Sequence, residues 1–171
     1  MEYDIKKNKL NYYKSVYLIK KLQKIPYKNF KYIIKLSKNL TKRKYYFIYF
    51  FIILYYNTYL FIKCIITFYI SRYINILIKN TIKQKRPYNE YPNQIKWFKK
   101  QKTSYSFPSQ SIQTICIIYF AFIENCNYIF IHIYFLFIIM LLTVTRMYRG
   151  LHYLHDILLS IWFAYILYIK N

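Results

Sequence analysis

The chain has one glycine, four prolines, three cysteines and five acidic residues in a length of 171. A single glycine argues against a β-barrel or sandwich, whose tight turns draw on glycine repeatedly, so helices are expected. Cys64, Cys116 and Cys126 are scattered. They form neither an even disulfide set nor a C-x-x-C pair, so neither stapling nor zinc is implied, and a reduced or membrane setting fits. Beside so few acids stand 27 Lys and Arg, leaving a net charge of +22. Apolar residues are plentiful: 57% of the chain is hydrophobic and 23% aromatic, with 24 Tyr and 14 Phe. A disordered basic tail would lack them. The mean hydropathy of +0.08 conceals segregation, because Tyr and Lys pull the average down. Lysine is a background residue here, alongside abundant Ile, Asn, Tyr and Phe, so the rarer residues carry the information.

Residues 1–44 hold 14 of the 27 basic residues, with no apolar run long enough to cross a bilayer. This segment reads equally as a basic amphipathic helix on an anionic membrane surface, each nearby cation adding about 1 kcal/mol, or as a solvated, poorly ordered tail. The first twenty residues lack an apolar core followed by small residues, so no cleavable signal is expected. From Tyr45 to Ile78 the chain is almost continuously apolar, broken only by Asn57, Lys63, Arg72 and Asn75 among strongly polar types. That stretch exceeds the ~20 residues one span needs. It is either two short crossings turning near Asn57 to Lys63, or one long tilted helix. Lys79 to Phe107 is a polar, basic loop holding Lys83, Lys85, Arg86, Lys96, Lys99, Lys100 and Lys102. Three further apolar runs follow: Ile112–Ile123, Tyr128–Val144 and Leu151–Ile169. The expected fold is an all-α, polytopic transmembrane helical bundle over residues 45–171, with five spans, behind a basic N-terminal segment over 1–44. A soluble bundle would need far more polar surface.

Three clusters of rarer residues lie between the spans. The first runs from Lys79 to Arg86-Pro87 and reads K-x6-R-P; the second is Tyr105-Ser106-Phe107-Pro108-Ser109-Gln110-Ser111; the third is Thr145-Arg146-x5-His152-x3-Asp156. In order and spacing they resemble the signature motifs of the type-2 phosphatidic acid phosphatase superfamily, K-x6-R-P, P-S-G-H and S-R-x5-H-x3-D. The third cluster is the most specific, because the chain has only five Arg, three His and two Asp from which to build it. Gly150, the one glycine, also falls where the family's third motif usually carries glycine. The resemblance covers residues 79–156 and the flanking spans. Topology is consistent with it: one span leaves the face bearing the basic loop and the next returns, so all three clusters can meet on one side of the hydrocarbon.

The residue types suit a phosphorylated substrate. Several fixed cations are needed to hold its oxygens, and arginine's planar fork fits them well; Lys79, Arg86 and Arg146 are the candidates. Each alone could equally be a cation snorkelling at a span boundary. Ser109, where a helix begins, can cap it while turning backbone N–H groups toward an anion. His152 and Asp156 are four apart and share a helical face, so a carboxylate can orient the imidazole while its other nitrogen attacks phosphorus. The resemblance implies that His152 forms a phosphohistidine, that Asp156 fixes its tautomer, and that neither metal nor cofactor takes part. His155 can approach the same site or serve as an interfacial aromatic, and His132 is expected to be a packed, hydrogen-bonded core residue.

One departure stands out. Ser111 replaces the histidine that closes P-S-G-H and protonates the leaving group, Gln110 replaces the glycine, and Thr145 replaces the serine of the third motif. A serine cannot act as an acid at neutral pH, and a positioned general acid contributes about 10²- to 10⁴-fold. A diphosphate, whose leaving group needs less protonation, or His155 acting as a surrogate, would each compensate. The expected function is therefore an integral membrane lipid phosphatase, of reduced activity, acting on a lipid phosphate monoester or polyprenyl diphosphate. The rival is a catalytically silent relative that binds phospholipid or a membrane partner; a scaffold with accidental motif matches is weaker still. The expected partners are that substrate and the bilayer, not nucleic acid, in the endoplasmic reticulum or another endomembrane.

Overall fold

The computed structural model describes residues 2–96, 98, 105–125 and 128–170. Lys99, Lys100 and Lys102 of the basic loop, and Cys126, lie outside the described residues. Eight helices follow in order: α1 (Glu2–Gln23), α2 (Tyr27–Leu40), α3 (Arg43–Tyr56), α4 (Thr58–Ile82), α5 (Pro87–Glu90), α6 (Gln110–Asn125), α7 (Ile129–Tyr148) and α8 (Leu154–Ile169), with no strand among the described residues. Pro26, which has no amide hydrogen, separates α1 from α2.

The long apolar stretch is resolved into a hairpin. Asn57 is extended, with φ −158°, and its side-chain oxygen accepts a hydrogen bond from Leu60 N at 3.1 Å, capping α4 where α3 ends. The Phe50 and Phe68 rings meet across the hairpin with centroids 5.7 Å apart, so α3 and α4 run antiparallel. The polar stretch from Lys79 is less uniform than a loop: α4 continues through Lys79 to Ile82, and the single turn of α5 follows Arg86.

α6 forms the axis of the bundle and packs against α3, α4, α7 and α8. Ile112, Ile115, Cys116, Ile117, Ile118 and Ala121 are fully enclosed on it. A helix apolar on all sides is stable only when buried in this way. The helices around it show the opposite pattern, with Tyr69, Tyr73 and Ile76 of α4, Leu136, Phe137 and Met140 of α7, and Leu158 and Trp162 of α8 facing outward. An apolar belt of this extent belongs in lipid. The stretch Thr58–Glu90 and α7 are long and apolar enough to cross a membrane, whereas α6 and α8 are shorter apolar helices. Several polar groups inside the bundle pair with one another: Ser71 Oγ and Asn75 Nδ2 both donate to Gln113 Oε1, and Tyr119 Oη lies 2.9 Å from His132 Nδ1. At one end of the bundle, Lys63 pairs with Glu124 at 3.3 Å, and Tyr168 Oη donates to the same carboxylate.

α1 and α2 both lie against α7. Gln23 fixes α1 with three bonds: its Nε2 donates to Lys96 O (2.9 Å) and Tyr148 O (2.8 Å), and its Oε1 accepts from Lys96 N (2.7 Å). Phe30 of α2 stacks on the enclosed Tyr148 ring at 4.2 Å.

Candidate functional site

The site forms where α4, α6, α7 and α8 present their loop-side ends. Lys79 is in the last turn of α4, and its Nζ approaches Tyr105 O at 3.5 Å. Arg86 precedes α5, where Pro87 occupies a first-turn position that needs no amide donor. Its Nη1 donates to Leu151 O at 3.0 Å, fastening the first cluster to the connection between α7 and α8. Tyr88 N donates to Gly150 O at 3.2 Å on the same seam. Gly150 has φ +63°, and a Cβ there would stand 2.8 Å from Ile95 Cγ2 and 3.2 Å from Tyr88 Cβ. Only glycine meets both the left-handed backbone and the close approach.

Arg146, in the last turn of α7, donates from Nη2 to Ser111 Oγ at 3.0 Å. The second and third clusters are thereby joined. Ser109 does not cap α6 with its side chain. Its carbonyl accepts from Ile112 N and Gln113 N, its own N–H donates to Ser160 Oγ at 2.7 Å, and its Oγ is buried with no hydrogen-bond partner among the described residues. Thr145 turns its hydroxyl back onto Leu141 O at 2.8 Å, so it serves its own helix.

His152 lies in the α7–α8 connection, 6% exposed, and feels the charges of Arg86, Arg146 and Asp156. Burial first, and then the two arginines, lower its pKa from 6.5 to about 4 against the opposing pull of Asp156. The imidazole is therefore neutral at pH 7, with a lone pair available for attack. Asp156 is fully enclosed, but its closest partners are not His152. Oδ2 accepts from Tyr153 N at 2.9 Å, closing the first turn of α8 and complementing its dipole. Oδ1 accepts from Gln84 Nε2 at 3.0 Å and lies 3.3 Å from His155 Nε2. The His152 Nδ1 to Asp156 Oδ2 separation is 3.8 Å, beyond hydrogen-bond length, and Nδ1 has no other partner among the described residues.

Some residues of the site carry no signal in the motifs. Gln84, inside the variable stretch of the first cluster, bridges Asp156 and His155. Ser160 is readable only as the residue four after Asp156, to whose carbonyl its hydroxyl donates. Arg149 is buried and within electrostatic range of Arg146 and Arg86. His155 is sandwiched by aromatics, stacked on Tyr153 at 5.2 Å and edge-on to Tyr12 of α1 at 4.6 Å. Among the described residues, no group of three or more His, Cys, Asp and Glu is arranged to hold a metal ion.

No curated protein sequence matches the chain. Among solved structures, it is similar to the crystal structure of the first transmembrane PAP2 type phosphatidylglycerolphosphate phosphatase from Bacillus subtilis. The TM-score is 0.71 at 17% sequence identity, covering 91% of this chain and 81% of the other, a likeness of fold. The PAP2 superfamily profile matches residues 54–169, a stretch that takes in all three clusters and the helices that present them. By that match, over more than half of its length, the chain belongs to the PAP2 superfamily.

Proposed function

We propose that the protein is a membrane lipid phosphatase that cleaves a lipid phosphate monoester or polyprenyl diphosphate through a phosphohistidine at His152. The observation that carries this reading is the position of a buried, neutral imidazole within the field of Arg86 and Arg146. Lys79, Arg86, Arg146 and the unpartnered Ser109 hydroxyl supply the cations and donor that would hold the phosphoryl oxygens. His152 attacks the terminal phosphorus, whose bond to the ester oxygen of a monoester, or to the bridging oxygen of a diphosphate, breaks, and the departing oxygen takes up a proton. Water then attacks the phosphohistidine, releasing phosphate and restoring the imidazole. For Asp156 to hold the His152 tautomer, their 3.8 Å gap must close by roughly 1 Å as the anion seats, a tightening common between free and occupied sites.

Proton delivery is the weak step. Ser111 is engaged by Arg146 and offers no acid at neutral pH. His155 is tied to Gln84 and Asp156, and serves as a donor only if released from them. This arrangement favours a diphosphate or a slow monoesterase, and it also supports the second reading, a silent relative that binds a phospholipid head group. Protein purified in detergent, supplied with phosphatidic acid or a polyprenyl diphosphate, is expected to release phosphate slowly without added metal. His152→Ala should lower that rate by at least about a thousandfold. Equal release by the variant would remove His152 from the mechanism. Binding of both lipids with no release from either would establish the silent reading.

A further inference from the structure

α2 presents three faces. Phe30, Ile34 and Ser37 are buried, the first two in a cluster with Tyr148 of α7. Lys28, Lys31 and Lys35, at spacings of three and four, form an exposed stripe along one flank. Tyr32, Ile33 and Leu36 form a second exposed stripe; Tyr32 is 76% exposed and stands one turn from both Lys28 and Lys35. A face that met only water would have no use for the apolar stripe, and one that met only hydrocarbon could not carry the lysines. The two together suit the zone where lipid head groups meet acyl chains.

The place of α2 in the fold agrees. Its Phe30 stacks on Tyr148, the last residue of α7. Only Thr41 and Lys42 separate it from α3, whose Tyr46 lies within electrostatic range of Arg146. Both ends of α2 therefore stand at the loop-side end of the bundle, where an apolar span gives way to polar surroundings. Residues 12–44 contain no Asp or Glu, so this segment supplies no counter-charge of its own. A second copy of the chain would bring the same lysines and a net charge of +22 against them. We infer that α2 is a docking surface for anionic phospholipid, with Tyr32, Ile33 and Leu36 entering the acyl boundary and Lys28, Lys31 and Lys35 pairing with the head groups. The inference concerns a surface outside the His152 cluster and does not depend on the phosphatase reading.

The test places the whole protein, carrying Tyr32→Trp, in nanodiscs of phosphatidylcholine and phosphatidylserine in equal parts, with bromine on the upper acyl carbons of one lipid or of the other. The two preparations differ only in which lipid quenches fluorescence. The emission that the substitution adds to that of the wild-type protein therefore reports which lipid adjoins α2. Quenching by brominated phosphatidylserine should exceed quenching by brominated phosphatidylcholine by about fivefold, the worth of one lysine beside an anionic surface. Adding Lys28→Gln, Lys31→Gln and Lys35→Gln should bring that ratio close to one. High salt should do the same with the lysines intact, which decides the matter even where the combined variant does not fold. A ratio near one before either change, or a ratio that neither change lowers, would overturn the inference. Absence of quenching by both lipids would also overturn it, and would assign the face to water or to a protein partner.

Discussion

His152 combines two properties seldom found together on a surface histidine: it is 6% exposed, and it lies among cations. Both oppose protonation. The free imidazole takes up a proton near pH 6.5, whereas the buried one does so only near pH 4. Between those values the unfolded chain binds more protons than the folded one, so His152 makes stability fall as pH drops from about 6.5 to about 4. Thermal unfolding in detergent should show a steeper loss across that window in the wild type than in His152→Asn; parallel curves would show that the ring is not held neutral. At Ser111 the missing acid can be restored. Ser111→His should raise turnover of a phosphate monoester, within the 10²- to 10⁴-fold that general acids contribute, less whatever is lost with the Arg146 contact. An unaltered rate would mean that another group already supplies the proton. That Arg146 and Asp156 lie within electrostatic range of His152 was legible as a pattern of rare residues at fixed spacing. That Asp156 engages Tyr153 N, Gln84 and His155 more closely than His152 was not, because spacing places residues on one face without saying which backbone donor competes for the carboxylate.

Secondary structure was most legible where apolar runs were long, and least where a single polar side chain decides the turn. Nothing but Asn57 marks the hairpin between α3 and α4; with neither Gly nor Pro nearby, the sequence left two crossings and one long helix open, and the Asn57 cap on Leu60 N settles the turn. Ser109 shows the reverse. Its place before α6 suggested a side-chain cap, but Ser160, from α8, takes up its N–H and leaves its hydroxyl directed elsewhere. At Ser109 a tertiary partner outcompetes the local rule. The connection between α7 and α8 depends on Gly150 at φ +63°, closely packed against Ile95 and Tyr88. Gly150→Ala should destabilise the fold by about 1–2 kcal/mol from backbone strain alone, with the Cβ overlap in addition. It should also displace Arg86 from Leu151 O, so activity should fall with stability. A variant with unchanged melting and activity would contradict the role assigned to this turn.

Across the whole molecule, the apolar belt around α4, α7 and α8 places the bundle in lipid, while α1 and α2 lie against the end of α7 next to the site. The basic composition of residues 1–44 allowed a surface helix or a tail, because docking here depends on single residues that charge averages hide. Gln23 makes three hydrogen bonds to Lys96 and Tyr148, and Tyr12 touches His155. Gln23→Ala should lower stability by about 2–3 kcal/mol, near 1 kcal/mol for each bond lost, read as a lower unfolding temperature in detergent. No change would mean that α1 is held by its apolar contacts alone. The central claim, that His152 becomes covalently phosphorylated within a cradle of arginines, is tested most directly by trapping the intermediate. Protein mixed with ³²P-labelled phosphatidic acid and quenched in alkali should carry a base-stable, acid-labile label on the peptide containing His152, and His152→Ala should carry none. Continued turnover by His152→Ala, with no label on the wild-type peptide, would contradict it.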